Sequence, residues 1–329
     1  MKIKLTKTKF VGTGEKPYII AEIGSNHNGS MVLARKLIES AKRSGADCVK
    51  FQSFSQSSIF SKKSYQSNPV LKKTVSKIVV SENNFIKIKN YAQKLNLDFA
   101  VTPFSKKEVD FSIKKLGVKF IKIASMDLNN FDFLKYISKK KKPIILSTGG
   151  GNLSDIDEAI RTIEKEGNKQ IILLHCISNY PPKDKEINLN NIETLSRIYP
   201  YPVGFSDHTL GTSIPLAAVA KGACLIEKHF TLDRNLPGPD HQASIEPQEL
   251  KQMVSSIRNI SNAMGSGIKE PSNSERKNIP IARKSLVAAI AIKKGDIFDQ
   301  SNISVKRPGT GISPMLIDDV LGKQATRDF

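Results

Sequence analysis

The chain has 329 residues, 39% of them apolar, with 51 Lys and Arg against 31 Asp and Glu and a formal charge of +20. That composition supports a full core and excludes a disordered chain, and no apolar run approaches the roughly 18 residues of a membrane-spanning helix. The charge raises nucleic acid as a partner, but the lysines are spread along the chain and Trp is absent. No basic run alternates with aromatics, so a diffuse field that steers a small anionic substrate is the better reading.

The opening "MKIKLTKTKF" is basic, yet no apolar segment follows it, so no signal peptide is expected. Cys48, Cys176 and Cys224 lie far apart in apolar stretches and read as reduced core residues. Together these features point to the cytoplasm. Apolar, β-rich runs then recur at 18–24, 48–52, 98–104, 120–125, 143–149, 170–176, 202–208 and 225–230. Helical patterns such as "MVLARKLIESAKRSG" and "ENNFIKIKNYAQKL" separate them. Strands alternating with helices imply parallel βαβ units, and eight of them predict a (β/α)8 TIM barrel over residues 1–265. A doubly wound sheet is the alternative, but no GxGxxG follows the first strand.

Residues 53–80 break the rhythm and read as a long loop, a candidate lid. "SKKKKP" at 138–143 reads as a solvated helix end. Residues 246–265 predict the last barrel helix, 266–281 a linker, and 282–329 a small β-rich domain with a "KKGD" turn.

In a barrel, chemistry gathers at the C-terminal strand ends. Those ends carry Glu22, Lys50 and Gln52, Thr102, Lys122 and Ser125, Ser147, His175, Ser206 and His208, and Glu227 and His229. Any one could be a solvated strand end; eight together would converge on one face. Lys50 and Lys122 sit inside apolar strands, where a lysine either snorkels or meets an anion. With the hydroxyls of Thr102, Ser125, Ser147 and Ser206 they would cradle a phosphate or carboxylate. His208 and His229 end consecutive strands, spaced to share a divalent ion such as Mn2+ with positions left open. They could equally be two hydrogen-bonded histidines. His175 reads as a core-edge residue, and His241 has a weaker case still. Asp240, in the rigid loop "DRNLPGPDHQAS", either binds sugar hydroxyls or caps the helix that follows.

The motifs "AEIGSNHNG", "VKFQ", "VTPF", "KIAS", "STGG", "LLHCISNYPP", "GFSDHTLG" and "EKHFTLDRNLPGPDHQAS" run in order across the barrel. They resemble the bacterial sialic acid (nonulosonate) synthases, and the tail "ARKSLVAAIAIKKGDIF…ISVKRPGTGISP" resembles their antifreeze-like (SAF) domain. The resemblance implies condensation of phosphoenolpyruvate with the open-chain aldehyde of an N-acylated mannosamine-type sugar, releasing phosphate. It further implies that Lys50, Thr102, Lys122, Ser125, Ser147, Ser178 and Ser206 hold phosphoenolpyruvate. His208 and His229 would ligate Mn2+, with Mg2+ or Co2+ as alternatives, and Glu22 would be the acid/base group. Gln52, Asp127, Tyr180 and Asp240 match sugar-contacting positions. Arg307 matches an arginine that reaches the N-acyl group from the partner in a domain-swapped homodimer.

Three positions depart from the family. Ser178 stands where Asn is frequent, with Asn179 beside it, and Asp127 stands where some members have Glu. The chain also stops at "GKQATRDF", so the last strand of the small domain is expected to be short or missing. The acceptor is open between N-acetylmannosamine and a 2,4-diacetamido-2,4,6-trideoxymannose, with "KFQSF" and "KIASMDLNN" leaning to the second. The competing classes are a 3-deoxy-sugar-acid synthase acting on another aldose, and a non-catalytic sugar-binding protein on the same scaffold.

Overall fold

The computed structural model describes residues 1–329, the side chain of Leu71 aside. It divides into two compact units, Met1–Gly265 and Ser266–Phe329. No helix among the described residues is long and apolar enough to cross a membrane.

The first unit opens with an antiparallel hairpin, β1 (Lys2–Lys4) and β2 (Phe10–Gly12). Eight strands follow: β3 (Tyr18–Gly24), β4 (Cys48–Ser53), β5 (Asp98–Pro103), β6 (Ile121–Ile123), β7 (Ile144–Ser147), β8 (Ile171–Cys176), β9 (Val203–Asp207) and β10 (Leu225–His229). They pair in parallel in the order β5-β4-β3-β10-β9-β8-β7-β6, and β5 and β6 at the two ends lie side by side, closing the ring. The eight expected runs are these eight strands. Helices connect them, each for local reasons. Leu153–Lys165 starts at Asn152, whose side chain accepts from the Asp155 amide while Asp155 returns a bond to the Asn152 amide. It buries Ile156, Ala159, Ile160 and Ile163, one face of a 3.6-residue period.

Strand alternation sorts the side chains into two cores. Outward residues such as Ile19, Val49, Val101, Leu173 and Ile226 pack beneath the helices. Inward residues Tyr18, Ile20, Cys48, Ala100, Phe120, Ile145, Ile172, Leu174 and Leu225 fill the barrel, and Ile3, Leu5 and Val11 of the hairpin join that inner core. The hairpin therefore stoppers the N-terminal end of the barrel. Moving up each strand, the inward positions change from apolar to polar, and the site begins there.

Two readings of the connections need correction. Residues 53–80, expected as an irregular loop, form three short helices, Gln56–Ile59, Lys62–Ser67 and Pro69–Ile78. Residues 266–281, expected as a linker, carry the helix Asn273–Ala282, started by a reciprocal Ser272/Glu275 cap. The last barrel helix is Pro247–Ala263, and Lys140 of the basic run pairs with Asp110 at 2.6 Å.

In the second unit, β11 (Ser285–Ala288) and β12 (Ile303–Lys306) pair antiparallel. The chain end folds back on residues 292–298: Ile292 and Phe329 exchange backbone bonds of 3.0 and 2.8 Å, and Ile297 bridges Gln324. The terminal residues thus pair with 292–298, where the sequence reading expected a short or missing strand.

Candidate active site

A cavity of about 640 Å3 opens at the C-terminal strand ends. Glu22, Lys50, Gln52, Thr102, Lys122, Ser125, Ser147, Ser178, Tyr180, Ser206, His208 and His229 all line it. The parity of each strand brings them together, since Glu22, Lys50, Lys122 and Ser147 sit on the inward side, two residues above the apolar layer.

Its floor is a charge network. Lys50 Nζ lies 2.7 Å from Glu22 Oε2 and 3.6 Å from Glu227 Oε2, and donates to Thr102 Oγ1 at 2.8 Å. Lys122 Nζ lies 3.6 Å from Glu227 Oε1 and donates to Ser147 Oγ at 2.7 Å and to the Ile123 carbonyl at 3.0 Å. Ser206 Oγ donates to Glu227 Oε1 at 3.0 Å. All four ionisable groups are buried. Burial pushes the Glu22 carboxyl up to about 7 against the pull of Lys50. Burial acts the same way on Glu227, but Lys122 and Lys50 outweigh it and hold that carboxyl well below its usual range. Burial lowers Lys122, whereas at Lys50 the two glutamates overcome burial and raise it. The floor thus holds one firmly ionised carboxylate and one poised to exchange a proton near neutral pH.

A small cradle adjoins it. Ser125 Oγ accepts from the Gly149 amide at 3.0 Å. A Cβ on Gly149 would stand 2.3 Å from Ser178 Oγ, 2.8 Å from Ser125 Oγ and 3.1 Å from Cys176 Sγ, so only glycine leaves this hollow open. Ser178, rather than its neighbour Asn179, faces the cavity.

The two histidines stand on one rim with ring centroids 5.5 Å apart. The Tyr180 ring lies 4.0 Å from His208 and 5.6 Å from His229. The Ile177 carbonyl, 2.7 Å from His208 Nδ1, makes that nitrogen the donor and leaves Nε2 with a free lone pair. Burial lowers the His229 pKa and keeps its ring neutral, and its Nδ1 is buried without a hydrogen-bond partner among the described residues. Among those residues no group of three or more His, Cys, Asp or Glu side chains is placed to hold an ion. Two imidazoles on one rim fit a divalent ion that takes its other ligands from substrate and solvent, and do not fit a closed structural site.

The loop after β3 braces the loop after β10. Asn26 Nδ2 donates to the Phe230 carbonyl at 2.9 Å and to Ser244 Oγ at 2.8 Å. Asn28 Nδ2 lies 3.1 Å from His241 Nε2, and Ser25 Oγ donates to Asp240 Oδ2 at 2.7 Å. His241 is thereby a brace, with Nδ1 2.7 Å from Thr231 Oγ1.

Three expected site residues are not in the cavity lining. Asp240 stands behind the rim, 3.9 Å from His229 Nδ1. Asp127 is buried, accepts from Asn130 Nδ2 at 2.9 Å on Oδ1, and has no partner on Oδ2 among the described residues. Arg307 lies exposed in the second unit. His175 faces outward, with Nε2 2.6 Å from the Ile187 carbonyl. Among the lining residues without an assigned role in the sequence are Glu227 and Cys176. Glu227 was only one strand end among eight, and Cys176, read as core, has Sγ 3.7 Å from Ser125 Oγ. Its signal was its parity with Leu174 on β8.

Known proteins resemble this chain along most of its length. The chain is 48% identical to the N,N'-diacetyllegionaminic acid synthase of Campylobacter jejuni over 96% of its own length and 97% of that protein's. It is 39% identical to the enzyme of the same name from Legionella pneumophila, over 99% and 95%. The crystal structure of the N-acetylneuraminic acid (sialic acid) synthetase of Leptospira borgpetersenii superposes with a TM-score of 0.78 at 36% identity, over 85% of this chain and 95% of that one. The NeuB family model matches residues 37–269 and the SAF domain model residues 283–329. By its barrel and by these matches, the chain belongs to the NeuB family and ends in a SAF domain.

Proposed function

We propose that this chain is a nonulosonic acid synthase that condenses phosphoenolpyruvate with an N-acylated mannosamine-type sugar in its open-chain form. C3 of the enol forms a bond to the aldehyde carbon, whose oxygen takes up a proton. Water adds at C2, and the C2–O bond breaks to release inorganic phosphate. The observation that carries this reading is the pair of buried lysines, each bonded to a hydroxyl, facing one cavity beneath two histidines.

Lys50 and Lys122 neutralise the phosphate and carboxylate of the enol, and Thr102, Ser125, Ser147, Ser178 and Ser206 orient them through hydroxyl donors. Glu22, poised near neutrality, takes the proton of the water that adds at C2. His208 and His229 would hold a divalent ion, Mn2+ before Mg2+ or Co2+, which when bound supplies Lewis acidity to the aldehyde. Gln52 and Tyr180 orient the sugar from the rim, with Asp127 and Asp240 behind them. The assembly is a domain-swapped homodimer in which Arg307 of the partner subunit holds the N-acyl group, and it works in the cytoplasm without nucleic acid or membrane partners.

The test is phosphate release from phosphoenolpyruvate across a sugar panel, read as kcat/KM. Turnover confined to N-acylated mannosamine-type sugars is expected. Turnover on plain aldoses would instead make it a 3-deoxy-sugar-acid synthase. Sugar binding with no phosphate release would make it a binding protein.

A further inference from the structure

A second charge pair lies on the other face of the two strands that lead to the histidines. β9 and β10 pair in a register that sets Ser206 opposite Glu227 and Asp207 opposite Lys228. Ser206 and Glu227 line the cavity, so alternation turns Asp207 and Lys228 outward, toward the helices. Phe205 and Ile226, on that same outward face, belong to the outer core. Asp207, Lys228 and Thr209 are all buried. Lys228 Nζ stands 2.5 Å from Asp207 Oδ2 and donates to the Thr209 carbonyl at 2.6 Å. Asp207 Oδ1 accepts from the Thr209 amide at 2.9 Å and from its hydroxyl at 2.8 Å. The amide, hydroxyl and carbonyl of Thr209 are thus all tied to this pair, and none of the three residues lines the cavity.

Asp207 precedes His208, Thr209 follows it, and Lys228 precedes His229. The pairing of β9 with β10 ends at Asp207 and Lys228, one residue short of both histidines, and His208 lies beyond the end of β9. His229 is held from its other side, opposite Glu22 of β3. The bonds among Asp207, Lys228 and Thr209 therefore carry the link between the two strands past the end of the ladder. They fix the backbone on both sides of His208 to the strand that carries His229, while the Ile177 carbonyl holds the His208 ring. A buried ion pair is a poor source of stability, since apolar side chains of similar volume usually do as well or better. Outward positions on other strands carry Ile19, Val49, Val101 and Leu173. What two charges add here is direction, because each bond to Thr209 has one geometry and apolar packing has many.

We propose that Asp207, Lys228 and Thr209 are positioning residues that set the separation of the His208 and His229 rings, and with it the affinity of the rim for a divalent ion. The proposal rests on the synthase reading above, in which those histidines hold the metal.

The test titrates Mn2+ alone, without substrate, into the full chain and its variants by calorimetry, with folding checked by far-UV circular dichroism. Asp207→Asn and Lys228→Met should each weaken Mn2+ binding by roughly 10- to 100-fold. A pair that acted through charge alone would split these two variants, since a bare ammonium repels the ion and a bare carboxylate attracts it. Thr209→Val removes one bond to Asp207, leaves the pair intact and should weaken Mn2+ several-fold, whereas Thr209→Ser should keep the parental affinity. This second series decides the matter if a pair variant fails to fold. Arg258→Met breaks the 2.7 Å pair with Asp47, at the opposite end of the barrel, and should lower stability without changing Mn2+ affinity. Opposite shifts in the two pair variants, or parental affinity in Thr209→Val, would overturn the positioning role and leave the metal reading standing. A parent chain that binds no Mn2+ would overturn the metal reading and the positioning role with it.

Discussion

Glu227 lies between the two floor lysines, 3.6 Å from each, and its replacement by Gln tests the charge network most directly. Lys50 would keep Glu22 at 2.7 Å, whereas Lys122 would lose its one carboxylate within 4.0 Å among the described residues. Coulomb's law at an effective dielectric of about 20 gives about 4.6 kcal/mol for one such pair. Breaking a buried pair typically costs about 3–5 kcal/mol, because the remaining charge stays buried. Glu227→Gln should therefore destabilise the barrel by about 3–5 kcal/mol, with most of the cost at Lys122. An anion on the floor supplies the missing countercharge. Phosphoenolpyruvate should then stabilise the variant beyond the roughly 2.7 kcal/mol that ligand at about a hundred times Kd gives any binder. The chain has no Trp, so urea unfolding is best followed by far-UV circular dichroism, with and without phosphoenolpyruvate. Glu158→Gln, on an exposed helix position, is the control. A loss below about 1 kcal/mol, or equal ligand stabilisation in parent and variant, would refute the idea that Glu227 neutralises these lysines.

Three further outcomes are expected. Glu22→Gln should fold and lose about 10²- to 10⁴-fold in kcat. In the parent, activity should fall as pH drops through about 7, because the carboxylate form is the one that accepts the proton, and that limb should be missing from the variant's residual rate. Chelation should abolish turnover and Mn2+ restore it, while His208→Ala and His229→Ala should lose both turnover and Mn2+ binding measured by calorimetry. Co-expression of Glu22→Gln and Arg307→Ala chains should recover activity in verified heterodimers, since a swapped pair holds one intact site; no recovery would show that each tail serves its own barrel.

The eight strands were legible because each is a short apolar run set between helical periods, and the polar floor was legible because alternation forces Glu22, Lys50, Lys122 and Ser147 to one side. The role of Glu227 was not, since its meaning depends on Lys50 and Lys122, which reach it from strands distant in the chain. The segment after β4 hid its helices because each is too short to establish a period, and its Ser-rich caps, such as Ser61 bonded to the Ser64 amide, imitate loop composition. The Ser272/Glu275 cap was written in the chain in the same way, masked by the polar residues around it. Asp127 was legible by motif alone: its 3-10 turn sets it against Asn130 and outside the cavity lining, a placement that the motif does not encode.

The hairpin that stoppers the far end of the barrel has a consequence for traffic. With Ile3, Leu5 and Val11 packed into the inner core, molecules reach the floor through the mouth between the strand ends. The lysines lie deepest and the histidines and Tyr180 near the rim, so a sugar seated first would stand in the doorway of the enol. Filling should run in one order, phosphoenolpyruvate and then sugar, and emptying in the reverse, with the nine-carbon acid leaving before phosphate. Initial-rate patterns should show phosphate competing with phosphoenolpyruvate alone, and competition between phosphate and sugar would mean that a second doorway exists.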